Sequence, residues 1–212
     1  SSNIAASPVN VIKEDSENEN LLYLGTDNGA YVSFNQGESW EVFSKDLPNV
    51  AIHDIVIQTE AKDLLLGTHG RSIYKTDISE LQLMNTNIIS NPITLFKVED
   101  VRYSSRWGSS WGKWYDAFEP EMEIAFFSNT SGNKTIKILS EKDTILNEIY
   151  LEADKGFNFA SYDLTLTEKG KKALMKENTT LQISKAQNDK FYLPKGTYTI
   201  QIGEKKTELI VK

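Results

Sequence analysis

The ten residues Arg106-Trp107-Gly108-Ser109-Ser110-Trp111-Gly112-Lys113-Trp114-Tyr115 gather three of the chain's four tryptophans among glycine and serine. Exposed aromatic rings stack on the apolar C–H faces of sugars, and they also bury large areas at protein interfaces. Arg106, Trp107, Trp111, Trp114 and Tyr115 are therefore candidate contacts for a glycan or a protein. The competing reading makes the same stretch a clasp that packs one domain on the next.

His69-Gly70-Arg71 is the second candidate. One reading places His69 and Arg71 where they touch a ligand or the following domain. The other makes His69 a turn residue and Arg71 the partner of a carboxylate. His53 is the only other histidine, and two histidines without cysteine form no recognisable metal motif, so no metal and no cofactor are expected. Asp27, Asp54, Asp63 and Asp77 sit at turns and strand ends, where acids are usual. Glycoside hydrolysis needs a pair of carboxylates across a cleft. No such pair can be singled out, and no catalytic residue is assigned.

The stretch Ser33-Phe34-Asn35-Gln36-Gly37-Glu38-Ser39-Trp40 is a turn between two strands. Asn35 can accept backbone N–H bonds, and Gly37 can take a positive φ. Ser33 can bond across the hairpin, and Trp40 can tuck its ring inward. This is a fold-stabilising device.

The elements that position these residues are short strands. Over residues 9–80 apolar and polar residues alternate, Asn-Gly and Gly turns punctuate, and no helical period is present. "LLYLGTDNGAYVS" repeats as "LLLGTHGRSIYKT". Gly25-Thr26 maps onto Gly67-Thr68, Val9–Ile12 maps onto Ile52–Ile55, and Asp27-Asn28-Gly29 maps onto His69-Gly70-Arg71. The repeat of 42 residues (67 − 25) matches a four-stranded propeller blade of about 40–45 residues. A ring needs about four to eight blades to close. The first 80 residues are thus expected to be an incomplete sector, covered by remaining blades of the same parent or of another chain. The opening "SSNIAASPVN" has neither an initiator Met nor a signal peptide, which suggests a processed product or fragment.

"SFNQGESW" resembles the Asp-box, Ser-x-Asp-x-Gly-x-x-Trp, with Asn35 in the Asp position. Together with "GTHGRSIY", residues 8–80 resemble the last blades of bacterial BNR-repeat propellers, the sialidase-like and sortilin-like family often labelled glycosyl hydrolase. The resemblance implies a structural role for Ser33, Asn35, Gly37 and Trp40 at the rim of the ring, away from its central cleft. Sialidase-type sites use a cluster of arginines. This chain has only Arg71, Arg102 and Arg106 and cannot supply one.

Residues 81–118 read as a connector followed by the aromatic loop. Residues 119–212 read as a second all-β unit of about seven strands, its first strand starting as early as residue 92. "TEKGKKALMKEN" is a short helix capped by Thr167, although its glycine weakens that assignment. "KTIKILSEKDTILNEIYLEADKGFNFASYDL" and "LPKGTYTIQI" resemble the Ig-like domain of flagellar hook-capping proteins, with Tyr162-Asp163 where Trp-Asp is usual. The sorting domain of type IX secretion is a similar sandwich, but its "YPNP" motif is absent.

The net charge of −7 argues against nucleic acid, since an acidic chain gains nothing from releasing phosphate counterions. No run of about 18 apolar residues is present, so no membrane span is expected. The sequence therefore predicts an all-β chain, the terminal blades of a β-propeller followed by an Ig-like sandwich. The expected role is a non-catalytic binding or scaffold part of a secreted, periplasmic or outer-surface bacterial protein that contacts a glycan or a surface protein. The alternative is an accessory C-terminal part of a glycoside hydrolase whose active site lies in other blades.

Overall fold

The computed structural model describes residues 4–43, 47–112 and 114–212. The chain is all-β, with three short helices among these residues. It divides into two compact units, Ser1–Ile89 and Ser90–Lys212. The connector is accordingly shared: residues 81–89 belong to the first unit, and the aromatic loop belongs to the second.

The first unit holds two antiparallel meanders. One runs β1 (Val9–Glu14), β2 (Leu22–Thr26), β3 (Gly29–Ser33) and β4 (Glu41–Val42), in that spatial order. The other runs β5 (Ile52–Gln58), β6 (Asp63–Thr68) and β7 (Ile73–Asp77). Helices α1 (Ser79–Gln82) and α2 (Thr86–Ser90) follow. Successive side chains of a strand point to opposite faces, and both faces of β2 and β3 are buried; on one of them Leu24, Tyr31 and Trp40 form a buried cluster. Asp15, itself buried, accepts from the backbone N–H groups of Glu17 and Asn18, the Tyr23 hydroxyl and the Gln82 amide. It thereby ties the β1–β2 loop to α1. Burial, and secondarily the Asp15 charge, pushes the Tyr23 phenol far above its ordinary range.

The two meanders are repeats at the level of single residues. Val9 stands opposite Thr26 and Val11 opposite Gly25, with a register shift between them. Ile52 stands opposite Thr68 and Asp54 opposite Gly67, again with a shift between them. The turns differ. Gly29 is already in β3, paired with Thr26, and has φ +128°. Its counterpart is not Arg71 but Ser72, at φ +102°, whose carbonyl accepts from Thr68 Oγ1 at 2.5 Å as that of Gly29 accepts from Thr26 Oγ1 at 3.0 Å. The second turn therefore carries one more residue than the first, which corrects the simple match of 27–29 to 69–71. At Gly25 a Cβ would fall 2.7 Å from Val11 Cγ1 and 2.8 Å from Ile52 Cγ2. The second meander seats against the first at this point, and no side chain larger than hydrogen fits there.

The second unit is a sandwich. One sheet has the order β11-β10-β15-β16, from β10 (Gly132–Leu139), β11 (Ile145–Ala153), β15 (Gly196–Ile202) and β16 (Lys205–Val211). The other has the order β12-β9-β8, from β8 (Ile93–Leu95), β9 (Met122–Ser128) and β12 (Gly156–Tyr162). Between them lie Ile124, Phe126, Ile136, Ile138, Ile200 and Leu209, all buried. A small pair, β13 (Thr165–Leu166) and β14 (Phe191–Tyr192), closes one end together with α3 (Glu168–Glu177). Thr167 caps α3 by accepting from the Gly170 N–H at 2.9 Å. The glycine that weakened the sequence-based assignment has a packing reason, since a Cβ on Gly170 would sit 2.0 Å from the Leu146 carbonyl oxygen.

Candidate functional site

The opening turn motif is a closed network. Ser33 Oγ accepts from the Gly37 N–H at 2.8 Å and donates to Asn35 Oδ1 at 2.9 Å. Asn35 Oδ1 also accepts from the Ser39 N–H at 2.9 Å. Gly37 has φ +87°, and Trp40 is buried beneath it. The turn joins β3 to β4, and the Ser33 and Asn35 side chains make their hydrogen bonds within it.

The aromatic loop is different. Its base is fastened at several points to the rest of the second unit. Val101 pairs with Val211, and Tyr103 N–H donates to the Lys212 carbonyl at 2.7 Å. Trp107 enters the core, only 6 % exposed, with its ring 5.1 Å from that of Tyr103 and 5.9 Å from that of Tyr192. Gly108 has φ +74°, and its would-be Cβ lies within 2.8 Å of Asn188, Ala186 and Tyr192. The Asn188 N–H donates to the Gly108 carbonyl at 3.0 Å, and Gly108 N–H donates to Phe118 at 2.8 Å. Past the loop, Glu119 accepts from Lys190 Nζ and from the Asn188 amide, each at 2.7 Å, and Lys190 also reaches Asp163 at 3.0 Å. These bonds from Lys190, then Asn188, hold the Glu119 carboxyl below its ordinary range. The two carboxylates, bonded first through Glu119 and then Asp163, push Lys190 well up. Asp163, beside the core residue Tyr162, thus helps anchor the loop.

From this base the tip projects into solvent. Trp111 is 88 % exposed, Trp114 92 % and Tyr115 71 %. The sequence grouped Trp107 with them as a ligand or interdomain contact; unlike them it is buried and packs into the core of the sandwich. Beside the loop opens a cavity of about 640 Å³. Arg102, Arg106 and Lys195 supply three cations to it, while Tyr103, Trp107 and Phe118 give it apolar wall. The Arg106 guanidinium lies 5.8 Å from the Phe118 ring centre. None of the three cations makes an ion pair among the described residues. The sequence places Tyr103 in the aromatic loop and Arg102 among the three arginines without giving either a contact role, and it does not single out Phe118 or Lys195. Lys195 is distant in the chain, and nothing local announces it. The signal for Arg102 was available, as two of only three arginines fall within five positions of each other.

His69 and Arg71 lie in the first unit, on the β6–β7 turn, and both are exposed. Arg71 has no ion pair among the described residues. The His69 ring faces that of His53, with centroids 5.3 Å apart. Among the described residues no group of three or more His, Cys, Asp or Glu is arranged to hold a metal. Among the described residues no helix is long and apolar enough to cross a membrane either.

No family model matches the chain, and no curated protein matches it. Solved structures give distant likenesses. The extracellular domain of the one-component system BT4673 from B. thetaiotaomicron aligns over 97 % of this chain and 25 % of its own, at 9 % identity and a TM-score of 0.28. The AfRom2 CNH domain aligns over 98 % of this chain and 69 % of its own, at 12 % identity and 0.29. Drosophila Semaphorin 2a aligns over 95 % and 35 %, at 11 % identity and 0.25. The chain thus spans about a quarter of the BT4673 domain. Likenesses this remote carry no argument about function, which rests on the chain's own residues.

Proposed function

We propose that this chain is the non-catalytic binding and scaffold part of an extracellular propeller protein of the BNR type, and that its aromatic loop contacts a glycan. The observation that carries this reading is the contrast within the loop: a base locked into the sandwich and a tip of three nearly bare aromatic rings. Rigid aromatic side chains lose little conformational entropy on binding, and a fixed base reduces the cost further. The free cations of the adjoining cavity favour sugars that carry a carboxylate, which arginine can grip with paired hydrogen bonds. The residue-level repeat of the two meanders, and the exposed Val9, Ile12, Val56 and Ile73 on their strands, support further blades beside them.

Affinity electrophoresis through gels containing neutral or uronate polysaccharides tests the loop. Retardation by at least one polysaccharide is expected. The Trp111→Ala/Trp114→Ala variant should lose about tenfold or more in affinity, equal to about 1.4 kcal/mol. Equal mobility of both proteins in every gel would overturn the glycan reading.

A further inference from the structure

We propose that His53 and His69 form a two-imidazole site for a divalent transition-metal ion of the Cu²⁺, Ni²⁺ or Zn²⁺ class. The site is built by the repeat itself. In the first meander the Asp27 N–H donates to the Pro8 carbonyl, and the Asn10 amide reaches across to Asp27 Oδ1 at 2.8 Å. In the second meander the equivalent backbone bond runs from the His69 N–H to the Ala51 carbonyl at 3.0 Å. The equivalent side chains are His53, at the register shift between Ile52 and Asp54, and His69. A frame that brings two short polar side chains into direct contact in one repeat therefore brings two imidazoles together in the other.

The spacing suits a shared ion. Metal–nitrogen bonds to histidine are about 2.0–2.1 Å, and a ring nitrogen lies about 1.1 Å from its ring centre, so two imidazoles meeting one ion at a tetrahedral angle have centres about 5 Å apart. The observed separation is 5.3 Å, with the ring planes inclined by 49°. Both rings are exposed, so an ion can enter and water can complete its coordination. Neutral imidazole selects borderline transition metals over Ca²⁺ and Mg²⁺, which prefer oxygen, and the order of affinity should place Cu²⁺ first. The two residues are far apart in sequence and form no motif. Only the alignment of the repeats brings them together.

Calorimetric titration of the whole chain with CuCl₂, NiCl₂, ZnCl₂ and CaCl₂ in a non-coordinating buffer tests the site, alongside His53→Ala and His69→Ala. One equivalent of Cu²⁺ is expected to bind, reversibly by EDTA, with an electron paramagnetic resonance spectrum showing two imidazole nitrogens. Each substitution should weaken binding by about tenfold or more, since even loss of an outer-shell partner costs about that much. Ca²⁺ should give no heat. Both residues are exposed, so circular dichroism of the variants should match the parent. Metal affinity that is absent in the parent, or unchanged in both variants, would overturn the proposal.

Discussion

Trp107 and Trp111 are each followed by glycine and surrounded by the same few residue types, yet one is core and the other is bare. Replacing Trp107 by alanine removes a ring that touches Tyr103 and Tyr192, so stability should fall by about 3–5 kcal/mol. Replacing Trp111 by alanine should change it by less than about 0.5 kcal/mol. Urea denaturation midpoints of the two variants measure the difference directly, and similar losses in both would contradict the assignment of core and tip. This division was not legible in the sequence, because the ring that turns inward is chosen by residues 186–192, far along the chain, and by the positive φ of Gly108. The turn at 33–40 was legible, because there the residues that make the hydrogen bonds are all local.

At the level of elements, the strand meanders and the capped helix could be read from alternation, turn residues and Thr167. What could not be read was the reason for particular glycines. Gly170 interrupts the helical composition of α3, and its meaning lies in β11, where the Leu146 carbonyl also accepts from the Thr167 N–H at 3.1 Å. Gly170→Ala improves intrinsic helix propensity, yet it must push the helix off the sheet. Its expected effect is a loss of about 1–3 kcal/mol, seen as a lowered thermal midpoint. An unchanged or raised midpoint would show that propensity outweighs the contact.

The clasp at the loop base belongs to the same scale. Because Glu119 is held below its ordinary range, its contribution is present above the usual glutamate range and is lost as pH falls through its lowered value in the folded chain. Because Lys190 is held above its ordinary range, its contribution is present below the usual lysine range and is lost only as pH rises through its raised folded value. The clasp therefore operates at neutral pH and fails first in acid. The stability difference between the parent and Glu119→Gln should be measurable at neutral pH and vanish on strong acidification. A difference that is the same at both would separate the pair from the loop's anchoring.

For the whole molecule, the acidic balance and the local cluster of cations point the same way. A net charge of −7 repels polyanions at long range, while Arg102, Arg106 and Lys195 act only within their own cavity. Recognition there would depend on close fit to one charged group instead of on a broad field. The all-β class could be read from the alternation of apolar and polar residues and from the turn residues between them. The cavity could not, since it is assembled from positions 102–118 and 195.

The placement of the indoles has an optical consequence. Trp40 is the only tryptophan of the first unit and is buried; Trp107 is the buried one of the second; Trp111 and Trp114 stand in water. Excited near 295 nm, a wavelength chosen to spare tyrosine, the chain should emit from a blue pair and a red pair. Dissolved iodide or acrylamide would extinguish the red pair first. The light that remains then comes from one shielded fluorophore in each half, so replacing either by phenylalanine leaves the other as a private reporter of its own half's melting.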